Sequence, residues 1–338
     1  MILAGDVGGT KTRLGIYTAD RGPRQPLCEA QYQNAGHKDF ESVVAAFFAR
    51  AAAAGLSLHN LSACIGVAGP VIDGHSQMIN LSWTIGEKRL REAFALTAVR
   101  VINDLEAIAG AVVFLEPADL LTLNEGKPDP QGNVAVIAPG TGLGEAFAVW
   151  DGARYQAHAS EGGHADFAPG DALQISMLRV LQRKGRHVSW ESVCSGRGVP
   201  RIYEFLRDHA SGAESAGLAE KLNQAQDRTP LILAAAMDQE PPCGLCIRTL
   251  DLFTSMLGAE AGNLALKVMA TGGVYLAGGI PRRILPFLRK GLFMEAFRHK
   301  GRMSDLVSRM PVYVILEPTD ALIGAAACGM AAEDRSRL

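Results

Sequence analysis

Apolar and polar positions alternate in short blocks from the start of the chain. Residues 2–4 form an apolar run that stops at Gly5-Asp6-Val7-Gly8-Gly9-Thr10, and apolar character resumes at Leu14-Gly15-Ile16-Tyr17. That order predicts strand, Gly-rich turn and strand. From Asp39 the period becomes helical: Phe40, Val43, Val44, Phe47, Phe48 and Ala51 share one face until Gly55, a residue suited to a left-handed helix cap. Residues 63–67 read as a buried strand closed by Gly69-Pro70, 87–96 as a second helix, and 99–102 as a strand running into Asn103-Asp104 and a helix over 105–114.

Residues 124–133 hold the densest cluster of turn formers in the first half and suggest a boundary between lobes. The strand expected at 134–138, the turn Pro139-Gly140-Thr141-Gly142-Leu143-Gly144 and a strand at 146–150 repeat the layout of the N-terminal hairpin, which implies a duplicated architecture. Further helices are expected at 172–184, 200–209, 248–270 and 320–332, and strands at 274–277 and 312–316. A polar, alanine-rich stretch covers 211–228, and Gly278-Gly279-Ile280-Pro281 follows the strand at 274–277. Strands alternating with helices argue for an α/β class with helices packed on the sheets.

Composition narrows the functional classes. The 338 residues are 48% hydrophobic and 20% charged with a formal net charge of -2, a globular balance for which two domains are expected. This balance argues against a disordered chain and against a nucleic-acid partner. Arg50 and Lys267 interrupt the apolar runs around them, so no segment reads as a membrane span. The first residues lack a basic stretch and carry Asp6 where a signal peptide is apolar, so a cytoplasmic protein is expected. Six scattered cysteines fit a reducing compartment. Cys243-Gly244-Leu245-Cys246 is a lone pair read as structural thiols, and the sequon Asn80-Leu81-Ser82 has no meaning without secretion.

Chemistry enters at the turns. A Gly-rich turn lets backbone N–H groups approach phosphate oxygens closely, and Thr10 and Thr141 add hydroxyl donors. Neither turn fits a P-loop or a dinucleotide turn, because Thr10 stands where the P-loop needs glycine and the spacing of Gly140, Gly142 and Gly144 is too short. Asp6 beside phosphates calls for a divalent cation, although it also suits a turn cap. Asn103-Asp104, just past a strand, suits a catalytic base, and Asn103 with Glu106 equally suits an N-terminal capping box. Glu161-Gly162-Gly163-His164 sets a carboxylate and an imidazole around a flexible pair, groups that match a polyol's hydroxyls. The spacing of His158, Glu161 and His164 does not fit a zinc motif. Glu191 lies in the first turn of a helix with Ser189 as its expected cap.

Taken in order, Gly5-Asp6-Val7-Gly8-Gly9-Thr10, Val101-Ile102-Asn103-Asp104, Gly140-Thr141-Gly142-Leu143-Gly144, Glu161-Gly162-Gly163-His164-Ala165-Asp166-Phe167, His187-Val188-Ser189-Trp190-Glu191 and Ala277-Gly278-Gly279-Ile280 resemble the bacterial glucokinase family through nearly the whole chain. That resemblance implies a two-lobed actin-like ATPase fold of the ribonuclease H-like kind, with a duplicated Gly-rich phosphate hairpin and glucose in a cleft between the lobes. The smaller domain would cover 1–115 and be completed by a C-terminal helix at 318–338; the larger would cover 116–317. The resemblance also implies ATP phosphates held by Gly5 to Thr10 and Gly140 to Gly142, with adenosine beside Gly278 and Gly279. It assigns Asn103, Asp104, Glu161, His164 and Glu191 to the sugar hydroxyls. Asp104 would be the base, Asp6 would hold Mg2+, and the enzyme would be a homodimer feeding glycolysis.

Thr10 is followed by Lys11-Thr12, a form also seen in the related repressor/open-reading-frame/kinase (ROK) family. The zinc-binding cysteine pattern of that family is absent from the sequence, and no DNA-binding segment is expected before Gly5, which favours the zinc-independent branch. A glycoside hydrolase could cast Glu161 and Glu191 as its two acids but leaves both Gly-rich hairpins unexplained. A non-catalytic sugar- or nucleotide-binding regulator on the same fold is the other alternative.

Overall fold

A computed structural model describes residues 1–78, 81–183, 187–209 and 216–337. Asn80 of the sequon and Lys184 at the expected end of one helix lie outside these residues. The chain opens with β1 (Ile2–Val7), β2 (Lys11–Tyr17) and β3 (Cys28–Gln33), followed by α1 (Phe40–Ala53) and β4 (Ser62–Val67). After the small ribbon of β5 (His75–Gln77) and β6 (Thr84–Gly86) come α2 (Glu87–Phe94), β7 (Val99–Asn103) and α3 (Asp104–Ala111). The middle of the chain holds β8 (Leu120–Asn124), β9 (Val134–Pro139), β10 (Leu143–Trp150), β11 (Tyr155–Ser160), α4 (Ala172–Gln182), α5 (Gly198–His209), α6 (Ala216–Gln224) and α7 (Thr229–Met237). Then follow α8 (Gly244–Val268), β12 (Gly273–Leu276), α9 (Gly279–Arg283), α10 (Leu285–Leu288), α11 (Leu292–Arg298), α12 (Ser304–Ser308), β13 (Val312–Ile315) and α13 (Asp320–Arg337).

Two compact units result. The first comprises Met1–Asp119, Phe147–Ala159 and Glu317–Leu338; the second comprises Leu120–Ala146 and Ser160–Leu316. The sheet of the first unit runs β3-β2-β1-β4-β7, with β1 to β3 antiparallel and β1, β4 and β7 parallel. Leu3 and Ile65 point to one face, against Phe40, Val44 and Phe47 of α1. Ala4, Cys64 and Ile102 point to the other, against Ala107 of α3 and Leu322, Ala325 and Ala326 of α13. Burial on both faces explains why β4 is buried at every position rather than alternating. Small residues let α13 lie close on α3, where a Cβ at Gly324 would overlap the Ala107 carbonyl oxygen.

The second sheet runs β11-β10-β9-β12-β13-β8, with β9, β12 and β13 parallel and β8 antiparallel at the edge. Apart from β8, its order repeats that of the first sheet: third, second, first, fourth and fifth strand. Helix α8 runs through the core of this unit, with Leu250, Phe253, Leu257 and Ala261 fully buried. Each leucine or phenylalanine among them contributes about 1.5–3 kcal/mol by leaving water.

Helix α1 begins as its pattern predicts: the Asp39 carboxylate accepts the Ser42 N–H at 2.9 Å, and Gly55 has φ +85°. Helix α8 starts at Gly244 rather than 248, because Leu245 and Cys246 face the core and extend the buried stripe by one turn. Within the alanine-rich stretch, α6 forms where Leu218 and Leu222 share one buried face. All six cysteines are free thiols.

Candidate active site

In the first unit, the turn between β1 and β2 is tied by its own backbone, with the Gly8 N–H donating to the Lys11 carbonyl at 3.0 Å. Asn34, 2% exposed, secures it from below. Its Nδ2 donates to the Gly8 carbonyl at 2.9 Å, its N–H donates to the Thr10 carbonyl at 2.9 Å, and its Oδ1 accepts from the Thr12 hydroxyl at 2.8 Å. No sequence signal pointed to Asn34, which stands 26 residues from Gly8 and reaches the turn only because β3 pairs with β2.

Gly5 and Val7 belong to the sheet. Gly5 is a packing position in β1, where a Cβ would stand 2.9 Å from Ile65 Cδ1 and 3.0 Å from Leu14 Cδ2, and the Val7 side chain is fully buried. Gly8, Gly9 and Thr10 form the turn itself. Asp6 lines a cavity of about 270 Å3 with Gly8, Thr10, Lys11, Arg13, Gln31 and Pro318. Burial, and then the Asp320 carboxylate, push the Asp6 carboxyl up to about 6, while Arg13 pulls it down. A carboxylate pair with a single arginine nearby leaves local negative charge that a cation would relieve.

Asn103 closes β7 and caps α3. Its Oδ1 accepts the N–H groups of Leu105 at 2.9 Å and Glu106 at 3.3 Å, and its Nδ2 donates to the Gly69 carbonyl at 3.1 Å. This is the N-cap half of the capping box read from the sequence, while the Glu106 carboxylate accepts from Arg100 Nη2 at 3.1 Å. A ligand contact through the second amide hydrogen remains compatible with it. Asp104 is the first residue of α3, where the helix dipole favours an ionised carboxylate. The register aligns Val7 with Val67 and Val67 with Asn103, so turn and cap emerge at the carboxyl ends of strands two apart in one parallel set. Their separation across the sheet is about 10 Å.

In the second unit, the turn between β9 and β10 holds Gly140, Thr141 and Gly142, with the Gly140 N–H donating to the Gly142 carbonyl at 2.8 Å. Glu191, in a single 3-10 turn that Ser189 and Ser192 box at its start, accepts the Leu143 N–H at 3.0 Å. It lies so close to Gly142 that a Cβ there would overlap its Oε2. A residue that the resemblance assigns to the sugar thus also braces the second Gly-rich turn. The Gly196 N–H donates to the Gly140 carbonyl at 2.8 Å from the other side.

Glu161 and His164 flank another 3-10 turn, with side chains 61% and 59% exposed and 3.9 Å between Oε2 and Nε2, free to meet a ligand. Gly278 has φ +89°, a conformation only glycine adopts readily, and turns the chain from β12 into α9 against the Pro139 carbonyl. Gly279 has no atom within 4 Å of a Cβ position. It lines a cavity of about 1110 Å3 with Gly140, Thr141, Glu191, Arg228 and Ile280. Arg228 pairs with Glu204 at 2.7 Å in that lining, and the Thr229 hydroxyl donates to the Gly196 carbonyl. Among the described residues no three His, Cys, Asp or Glu side chains converge on a point that could hold a metal.

Residues 3–332 match the glucokinase family. The chain belongs to that family. A glucokinase from a Synechocystis strain is 41% identical over 345 residues, covering 96% of this chain and 97% of its own. The crystal structure of a glucokinase from an Antarctic psychrotroph has a TM-score of 0.80 and 29% identity, with 98% of both chains covered. A ROK-family glucokinase from Streptomyces griseus, solved with glucose and AMPPNP, has a TM-score of 0.63 at 21% identity over 98% of this chain and 99% of its own. These neighbours and the duplicated sheet order give the glucokinase-family chain the actin-like ATPase fold. No helix among the described residues is long and apolar enough to cross a membrane.

Proposed function

We propose that this chain transfers the γ-phosphoryl group of ATP to the 6-hydroxyl of glucose, giving glucose 6-phosphate and ADP. The observation that carries the reading is the shared sheet edge: a Gly-rich turn and the Asn103-Asp104 cap leave strands two apart in one parallel set at their carboxyl ends, where α/β sheets bind ligands. Family membership supplies the substrate pair.

Phosphoryl transfer depends on positioning and charge neutralisation. Asp104 accepts the 6-hydroxyl proton as that oxygen attacks the γ-phosphorus and the bond to the ADP oxygen breaks. Asn103, Glu161, His164 and Glu191 hold the other hydroxyls. Because the Gly8 and Gly140 N–H groups are engaged within their own turns, the phosphate donors are those of Gly9, Thr10, Thr141 and Gly142. The second-unit cavity, with Gly279 at its wall, has the volume for the nucleoside. Asp6 fits Mg2+ through water, since one or two carboxylates beside phosphates are the usual protein share of such a site. When bound, Mg2+ offsets charge on the phosphates. The same reading has the enzyme acting in the cytoplasm as a homodimer that supplies glycolysis.

ADP release by the purified protein with Mg2+-ATP, measured with and without glucose beside other hexoses, tests the proposal. Glucose-dependent release with glucose 6-phosphate as product is the expected result. Nucleotide binding without turnover on any hexose would instead favour a regulator on the same fold.

A further inference from the structure

Beneath the Glu161-Gly162-Gly163-His164 turn lies a buried acid that neither the motifs nor the mechanism uses. Glu145, on β10, is 1% exposed. Its carboxyl presses on the turn: a Cβ at Gly162 would overlap Glu145 Oε2 and stand 2.9 Å from Cδ. The same carboxyl faces the Glu260 carboxylate of α8, itself fully buried. Glu260 also accepts from Asn263 Nδ2 at 2.8 Å and Lys267 Nζ at 3.3 Å, and Lys300 Nζ donates to Asn263 Oδ1 at 2.7 Å. Lys300, Asn263, Lys267 and Glu260 thus form a polar network on one side of Glu145, whose carboxyl packs against Gly162 on the other. Glu145 Oε1 is buried without a hydrogen-bond partner, which leaves Gly162 and Glu260 as the contacts that settle where the carboxyl sits.

A side chain held this way is costly in a core unless it does something that an apolar residue could not. We propose that Glu145, in its protonated form, is a positioning residue that sets the height and orientation of the turn carrying Glu161 and His164, and thereby the affinity for the sugar. The proposal rests on the reading that Glu161 and His164 contact the sugar. Protonation follows from the surroundings. Burial and the facing Glu260 carboxylate push the Glu145 carboxyl up to about 8, against the pull of Lys267. The other titratable groups around the pair are Lys300, which interacts with Glu260, and Cys194, whose thiol is pushed upward by burial and then by both glutamates. Above that pH the proton is lost, two carboxylates face each other, and their repulsion bears on the packed contact between Glu145 and Gly162.

The test compares wild type with Glu145→Gln and Glu145→Ala. The amide of Glu145→Gln still donates to Glu260 at the same volume and does not titrate, so its glucose KM is expected to match wild type at pH 6.5. It should stay flat above pH 8, where the wild-type glucose KM rises by roughly three- to tenfold, the factor for losing one hydrogen bond's worth of orientation. The ATP KM should follow the same course in both proteins. Glu145→Ala should raise the glucose KM by a similar factor already at pH 6.5, with a smaller change in kcat. An equal alkaline rise in Glu145→Gln, or a wild-type glucose KM in folded Glu145→Ala, would overturn the proposal. Should Glu145→Ala fail to fold, the Glu145→Gln profile decides alone. Two further measurements separate this proposal from the reading beneath it. A wild-type glucose KM in Glu161→Gln and His164→Asn would overturn the sugar-contact reading. Hydrogen exchange at the Gly162 to His164 amides, corrected for base catalysis and compared between wild type and Glu145→Gln across pH 8, reads the coupling to Glu145 without glucose, and identical exchange would refute it.

Discussion

Replacing Gly142 by alanine isolates the contact between a phosphate turn and a residue assigned to the sugar. Gly142 does not occupy the left-handed region, so alanine meets no backbone conflict and the effect comes from its Cβ alone. That Cβ overlaps Glu191 Oε2 and lies 3.2 Å from its Cδ, so the carboxylate must swing away and release the Leu143 N–H, now bonded at 3.0 Å. A hydrogen bond to a charged group contributes about 1.5–3 kcal/mol, and partial solvent access at Glu191 reduces this to about 1–2 kcal/mol. The expected result is a loss of roughly five- to thirtyfold in kcat/KM for glucose. The accompanying fall in Tm is about 2–6 °C. Gly140→Ala is the matched control. A Cβ there has no neighbour within 4 Å, so the free protein keeps its Tm while approaching phosphates meet the methyl group and the ATP KM alone rises. Initial rates with each substrate varied, together with thermal unfolding, read both variants. Wild-type kcat/KM for glucose in Gly142→Ala, or an equal fall in Tm for Gly140→Ala, would refute the reasoning.

Asp104→Asn should lower kcat by about 10²–10⁴ with little change in the glucose Kd, measured by initial rates and calorimetry, because the amide keeps the shape but accepts no proton. Near-normal turnover would remove Asp104 from the role of base. Asp6 carries a pH signature in Mg2+-free protein. Its carboxyl holds a proton up to about 6 in the folded state but releases it near 3.8 when unfolded, so stability present below pH 4 is lost as pH rises through 6. The loss is at most about 3 kcal/mol, and urea unfolding between pH 4 and 7 should show it in wild type and not in Asp6→Asn. Equal slopes in the two proteins would sink that account.

Edge strands show where sequence reading stops. β3 (Cys28–Gln33) and β11 (Tyr155–Ser160) are half-exposed and carry polar residues, so no run of apolar positions marks them; they are strands because a neighbour offers a ladder. The site divides in the same way. Both Gly-rich turns and the Asn103 cap of α3 are contacts among residues a few positions apart, and their spacing alone made them readable.

Local chemistry therefore determined, from the sequence by itself, the α/β class, the two hairpin turns, the starts of α1, α2, α4 and α13, and the order of motifs that marks the family. Tertiary structure alone decided that Asn34 would secure the first turn, that Glu191 would brace the second, and that Glu204 and Arg228 would pair in the lining of the large cavity. It alone set Glu145 against Gly162 and Glu260. Each of these contacts joins residues 17 or more positions apart. A hydrogen bond or an overlap at that separation exists only after sheet register and helix packing have brought two backbones within a few ångströms. Nothing in either residue's immediate neighbours encodes that distance.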